Sequence, residues 1–369
     1  MIAYFVLWFF IGMVCLLFRY MEKTSQKEKI FVGIIFVCLL FFIGLRSETV
    51  GADSASYIQI FGGHVDKKTK YFLSLEPAFR LFVKSIKYFS DNFTVFFFCL
   101  AILPLFIIMK YIGKWSENIY ISVICFLSLG YYFIMFNASR QYIAIAILLI
   151  AFEYADKKEW KKALGVMVLA IFFHSTAIVF VICIVAMAIL SNNYSEETCR
   201  YILNRQQQKA LNVFVLLLTI STVFLPKILG YLLMYSPKYR QAYYENTIRN
   251  SSYFSSGWAY ILFINAAIWF TLIFFTPSAS YSKRKFIVPI SLAFLFSVLQ
   301  FRLNIMARFV WYFDIYSIFA IPGIMEDNIF SKGSKNIVKL TIVILCFVTY
   351  TYFVVNNYQR IVPYSVVSN

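Results

Sequence analysis

Charge is scarce in this chain: only 14% of its 369 residues are Asp, Glu, Lys or Arg, against about a quarter in an ordinary soluble domain. That shortage leaves no stretch to build a separate water-soluble domain. The seven cysteines lie mostly inside apolar runs and show no paired spacing, so neither a disulfide framework nor a metal site is expected. Also missing are an Asp-x-Asp metal motif, a Gly-rich phosphate loop and a nucleotide-binding segment, so no metal or other cofactor is expected. The first apolar run, residues 2–18, has no basic segment before it and no small-residue cleavage site after it, so it reads as a retained span.

What fills the chain is apolar: 61% hydrophobic and 20% aromatic residues. Most of the aromatics are expected to face lipid or sit in interfacial belts. Apolar runs fall near 2–18, 30–45, 93–113, 119–136, 142–155, 163–190, 210–225, 258–276, 286–301, 309–325 and 337–355. At about 1.5 Å per residue, most are long enough to cross the greater part of a bilayer. The pattern predicts an all-α, polytopic integral membrane protein of about 11–12 transmembrane helices, a single transmembrane domain over 1–369 with larger outer loops at 46–92 and 226–257. The net charge of +17 is interleaved with these spans rather than gathered on a soluble face, which excludes nucleic acid as the partner.

The short connections 19–29, 157–162, 283–285 and 332–339 are dense in Lys and Arg, which places them in the cytoplasm. For all four to lie on one side, one apolar stretch must turn back. The first choice is 163–190, with His174-Ser175-Thr176 at a hairpin tip, because polar groups are expensive in hydrocarbon. The alternative folds 210–235 back around Pro226 and puts Tyr239 and Arg240 on the other side. With the first choice, both termini lie outside.

Arginines on short outer connections run against that topological preference. A guanidinium matches phosphate oxygens two at a time, so Arg46, Arg140 and Arg308 together would suit a pyrophosphate; the plain alternative is snorkelling to lipid headgroups. Nearby lie acids and phenols. Asp53 or Glu76 could serve as a general base toward a sugar hydroxyl if burial raises its pKa, and His174 could do so without a large shift. Each has a structural reading too: Asp53 as the cap of a helix starting near Ser54, Glu76 as the residue before a Pro-started helix, His174 as the group that satisfies a hairpin turn. Tyr57, Tyr239 and Tyr312 suit hydrogen bonding or stacking on sugar rings. Arg240 and Gln141 complete the candidate binding set. The stretch 235–258, with tyrosines interleaved among Lys238, Arg240 and Arg249, reads equally as a glycan-contacting lid and as an interfacial amphipathic helix.

Over nearly its whole length the chain resembles the EpsG/Wzy-type polymerases of bacterial exopolysaccharide, capsule and O-antigen synthesis. The marks are Arg46, Val50-Gly51-Ala52-Asp53 and Tyr57, then Glu76, then Asn137 and Arg140-Gln141. Phe173-His174-Ser175, Tyr239, Arg308-Phe309 before Tyr312-Phe313, and a closing Val362-Pro363-Tyr364 follow in order. Such proteins usually show Gly-Thr-Asp where this chain has Gly51-Ala52-Asp53, so a hydroxyl there is not essential. The resemblance implies a GT-C-like membrane glycosyltransferase of the bacterial cytoplasmic membrane, with its active site facing outward. It would join oligosaccharide repeat units carried on undecaprenyl pyrophosphate, with a flippase and a chain-length regulator as candidate partners. Arg140 and Arg308 would stabilise the leaving pyrophosphate, and direct displacement would invert the anomeric centre. A flippase for the same lipid-linked unit is a second reading, weakened by the lack of an internal repeat. An O-antigen-ligase-like transferase is a third.

Overall fold

The computed structural model describes residues 1–21, 24–64, 74–190, 193–195, 200–202, 213, 216, 256–274, 285–300, 306–326 and 332–366. The chain divides into two compact units. The first comprises Met1–Tyr154, Lys161–Ile178 and Phe330–Asn369; the second comprises Ala155–Trp160 and Val179–Ile329.

The first unit is built from α1 (Ile2–Tyr20), α2 (Ser25–Gly44), the short α3 (Ser54–Gln59), α4 (Pro77–Phe89), α5 (Phe93–Trp115), α6 (Ile119–Ser128) and α7 (Tyr131–Ile134). Next come α8 (Ser139–Asp156) and α9 (Trp160–Phe173), and a last long helix, Lys332–Val355, closes the unit. Local chemistry sets several starts. Thr24 accepts from the Lys27 amide, Asn92 from Thr94 and Asn118 from Ile121, each satisfying an otherwise orphaned donor at a helix N-terminus. Pro77 occupies the first turn of α4, where its missing N–H costs nothing.

Helices α2 and α5 pair antiparallel. Gly44 lies against the Phe98 ring, Phe36 meets Phe106 at 6.1 Å between centroids, and Val32 lies beside Gly113. Most of α5 is buried, whereas α1 and the closing helix bury only a minority of their apolar windows, as expected of rim helices facing lipid. At one end of this bundle Tyr120 donates to the Phe18 carbonyl and Lys114 pairs with Glu153 at 2.6 Å. At the other, the Tyr4 hydroxyl donates to the Ile361 carbonyl at 2.6 Å and Tyr364 stacks on Phe42.

The second unit holds α10 (Val181–Leu190), a short antiparallel ladder of β1 (Asn193–Ser195) with β2 (Arg200–Ile202), then α11 (Ser256–Phe274), α12 (Ile287–Leu299), α13 (Met306–Asp314) and α14 (Ser317–Met325). The Lys332–Val355 helix of the first unit is α15. Rings stack through the α10 to α13 region, Phe313 lying parallel to both Phe180 and Phe296.

Among the described residues the architecture is helical apart from that two-stranded ladder. Three helices among the described residues are long and apolar enough to cross a membrane: Ile2–Tyr20, Phe93–Trp115 and Gly333–Val355. Several of the apolar runs are broken. The 119–136 run stops at Gly130, whose φ of +89° takes the left-handed conformation that ends helices. The 309–325 run breaks between Asp314 and Ser317, and 163–190 breaks at His174, where α9 gives way to a 3-10 turn, Ser175–Phe180. The 210–225 run lies outside the described residues, apart from isolated positions.

Candidate active site

The candidate residues of the first unit lie toward the end where Tyr4 meets Ile361. Loop 46–53 is strapped there by the C-terminal tail. Ser47 N–H donates to the Ser365 carbonyl, Gly51 N–H to that of Arg360 at 2.9 Å and Ala52 N–H to that of Gln359 at 3.1 Å, while Arg46 forms a backbone bridge with Val366. The tail reaches these carbonyls through three non-glycine residues in left-handed conformations, Asn357, Gln359 and Arg360. Such backbone strain persists only where surrounding contacts over-determine it. Asn137 supplies them: its Nδ2 donates to both the backbone and side-chain oxygens of Gln359 at 2.8 Å, and its Oδ1 accepts from the Asp53 amide at 3.1 Å. Gly51, at φ +109°, must be glycine, because a Cβ there would stand 2.8 Å from Asn137 Oδ1 and 2.9 Å from Ser54 Oγ.

Next to this strap lies a charged cluster drawn from three distant loops. Arg140, at the start of α8, places Nη1 2.8 Å from Glu76 Oε2. The other carboxylate oxygen takes the Ser175 amide at 3.1 Å and the Ser175 hydroxyl at 3.2 Å, and lies 3.3 Å from His174 Nδ1. Burial pushes the Glu76 carboxyl up, but His174, Arg140 and the Ser175 amide pull it down harder, to about 2. The Tyr57 hydroxyl accepts from the Arg140 amide at 3.3 Å, and the guanidinium stands over the Phe79 ring at 5.5 Å.

The sequence candidates fall into distinct groups. Tyr57, Glu76, Arg140 and His174 are in one network; the Asp53 carbonyl accepts from the Tyr57 amide at 3.1 Å, while Asn137 ties the Asp53 amide to the strap. Asp53 does precede a helix, but its side chain makes no capping bond and is exposed. Glu76 precedes the Pro77 helix without capping it. Its carboxyl is held low by His174, Arg140 and the Ser175 amide, whereas the sequence reading as a base has burial raising it. Arg46 is set apart from this cluster. It is 1% exposed, clamped between Phe97 (4.5 Å) and Phe136 (4.8 Å), with Nε and Nη1 lacking hydrogen-bond partners. Burial pushes its pKa down to about 10, opposed by the surrounding tyrosines. A guanidinium so enclosed is charged at neutral pH but closed to a bulky pyrophosphate. Gln141 is likewise buried.

Arg308, exposed, and Tyr312, buried, belong to α13 in the second unit. Tyr239 and Arg240 lie outside the described residues. Two participants escape sequence reasoning. Gln359 joins the site only through the strained tail, which no local pattern announces. Arg80, one turn along α4 from Glu76, has its Nε buried without a hydrogen-bond partner; its i+4 spacing from Glu76 was the available signal.

A cluster of arginine, carboxylate and imidazole beside the strapped loop, with the marks in the order given above, agrees with a comparison against family models: one described as the EpsG family matches residues 29–366. The chain belongs to the EpsG family. Comparison with curated proteins gives no match, and comparison with solved structures gives none. EpsG membership implies a polysaccharide-polymerase-type function, and together with the apolar helices it makes this a membrane-embedded protein. The matched range runs through Val366, so it takes in the tail that straps loop 46–53.

Proposed function

We propose that this EpsG-family protein is a glycosyltransferase that polymerises oligosaccharide repeat units carried on undecaprenyl pyrophosphate, at the outer face of the bacterial cytoplasmic membrane and without a metal. The observation that carries this reading is the Arg140–Glu76–His174 network. It joins an anion-binding group to a base through one carboxylate.

In this mechanism Glu76 does not take the proton. Held low by its three partners, it orients His174 through Nδ1, and the other ring nitrogen accepts the proton. A terminal hydroxyl of the incoming unit attacks the anomeric carbon of the growing chain as His174 removes its hydrogen. The bond to pyrophosphate breaks, and undecaprenyl pyrophosphate leaves with the electron pair. Arg140, whose side chain is 25% exposed, meets the charge developing on the leaving group. Removing one such anion-stabilising donor typically costs about 3 kcal/mol of barrier. Asp53, exposed beside Asn137, hydrogen-bonds sugar hydroxyls. Arg46 and Tyr57 stand behind the reacting groups and hold loop and guanidinium in place. A single displacement inverts the anomeric centre.

The test uses protein reconstituted in lipid and supplied with lipid-pyrophosphate-linked repeat units, without nucleotide sugar, metal or other proteins. A product ladder stepping by one repeat, lost in Arg140→Ala and His174→Ala, is the expected result. Movement of the lipid-linked unit across vesicles with no ladder would replace the polymerase by a flippase.

A further inference from the structure

Far from the candidate active site, at the opposite end of the α2–α5 pair, the surface carries a groove of about 490 Å³. Its position follows from the antiparallel pairing. Gly44 and Phe98 mark the end near Arg46, whereas Val32 and Gly113 mark the other, and Lys29 lies 17 residues before Arg46, roughly 25 Å along a helix. The trough is apolar, formed by Val32, Phe36, Phe106 and Met109. It exists because of missing side chains: a Cβ on Gly33 would meet nothing within 4 Å, and one on Gly113 would touch only Val32 at 3.9 Å.

One rim of the trough is basic. Lys29, Lys110 and Lys114 line it with Glu28 and Ser25. Lys114 is committed to Glu153, which also accepts from Tyr111 at 2.8 Å. Lys29 and Lys110 are exposed and have no acidic partner among the described residues. An apolar trough ending at two unneutralised ammonium groups matches a molecule with one negative headgroup and a hydrocarbon tail.

We propose that this groove binds an anionic glycerophospholipid of the bilayer, its phosphate between Lys29 and Lys110 and one acyl chain along Val32, Phe36 and Phe106 over Gly33. The site is independent of the polymerase chemistry and does not rest on that reading. A neutral headgroup lacks the charge the lysines select. A second copy of the chain packing a helix on Gly33 would leave both ammonium groups unmatched.

The experiment takes the purified, delipidated full chain, titrates it with phosphatidylglycerol or phosphatidylcholine, and counts retained lipid by native mass spectrometry. Phosphatidylglycerol should be held at least tenfold more tightly. Lys29→Gln with Lys110→Gln should weaken it about thirtyfold, from the usual contribution of one surface lysine taken twice. Gly33→Leu should block the tail and weaken it about tenfold or more, because a whole buried chain loses its seat. Gly165→Leu, on α9 where a Cβ also meets open space, should leave retention unchanged. Equal retention by Gly33→Leu and wild type would overturn the proposal. So would phosphatidylcholine binding as tightly as phosphatidylglycerol, displacement at lower concentration by undecaprenyl phosphate, or a dimer lost in Gly33→Leu while lipid retention stays constant.

Discussion

The contact between Arg140 and Glu76 makes a quantitative prediction. In Arg140→Lys the positive charge stays, but a planar two-pronged donor becomes a point charge, and the 2.8 Å contact that fixes its position against Glu76 is lost. In Glu76→Gln the shape stays, but the acceptor of the Arg140, His174 and Ser175 contacts becomes neutral. A charge-assisted hydrogen bond contributes about 1.5–3 kcal/mol. Expressed as a barrier, that is about a 10- to 150-fold loss of rate for either change alone. The two losses should not multiply, because each substitution dismantles the same contact and both groups act through it. The double variant should fall within about threefold of the worse single one. The assay is the initial rate of ladder formation by lipid-reconstituted protein, with abundance and thermal midpoint measured alongside. A double variant whose loss equals the product of the two singles would show that Arg140 and Glu76 work separately, and the orienting role given to the carboxylate would be wrong. Wild-type rate in Glu76→Gln would refute it more directly.

Three other perturbations test the frame around the cluster. Gly51→Ala forces a side chain into a φ of +109° and against Asn137 and Ser54, so it should destabilise the first unit by about 1–3 kcal/mol; an unchanged thermal midpoint would contradict the strap. Tyr364→Ala removes the stack on Phe42 at 4.3 Å and the hydrogen bond to its carbonyl at 2.7 Å, a loss of about 1–3 kcal/mol. Amide exchange at Gly51 and Ala52, which donate to the tail, should quicken, and protection equal to wild type would show that the tail is not held by this ring. The Glu76 carboxyl is depressed from 4.5 to about 2, so its contribution is complete above pH 4.5 and is lost as the pH falls toward 2. The shift is equivalent to about 3 kcal/mol, of which about 1–2 kcal/mol should remain once partial exposure is counted. The stability gap between wild type and Glu76→Gln should therefore close over that window, and a gap of equal size at pH 6 and pH 2.5 would be the contrary result.

Composition and hydropathy are local properties, so the sequence by itself determined the helical, membrane-embedded character, most helix positions and the family. It also marked His174 as the break in 163–190, because a polar triplet cannot continue through an apolar run. It brought Glu76, Arg140 and His174 forward as separate candidates, each with a chemical reason. Only the tertiary structure decided that they form one network, since the partners are 64 to 99 residues apart and meet through helix packing that no periodicity encodes. The same packing bears on two expectations. Arg46 reads in sequence as an outer cation ready for phosphate, but Phe97 and Phe136 enclose it. Glu76 reads as a base raised by burial, but the charges brought beside it outweigh desolvation. The tail was visible only as a closing Val362-Pro363-Tyr364. That it straps loop 46–53 depends on Asn137 reaching Gln359, 222 positions away, to hold backbone conformations that the chain would not adopt unaided.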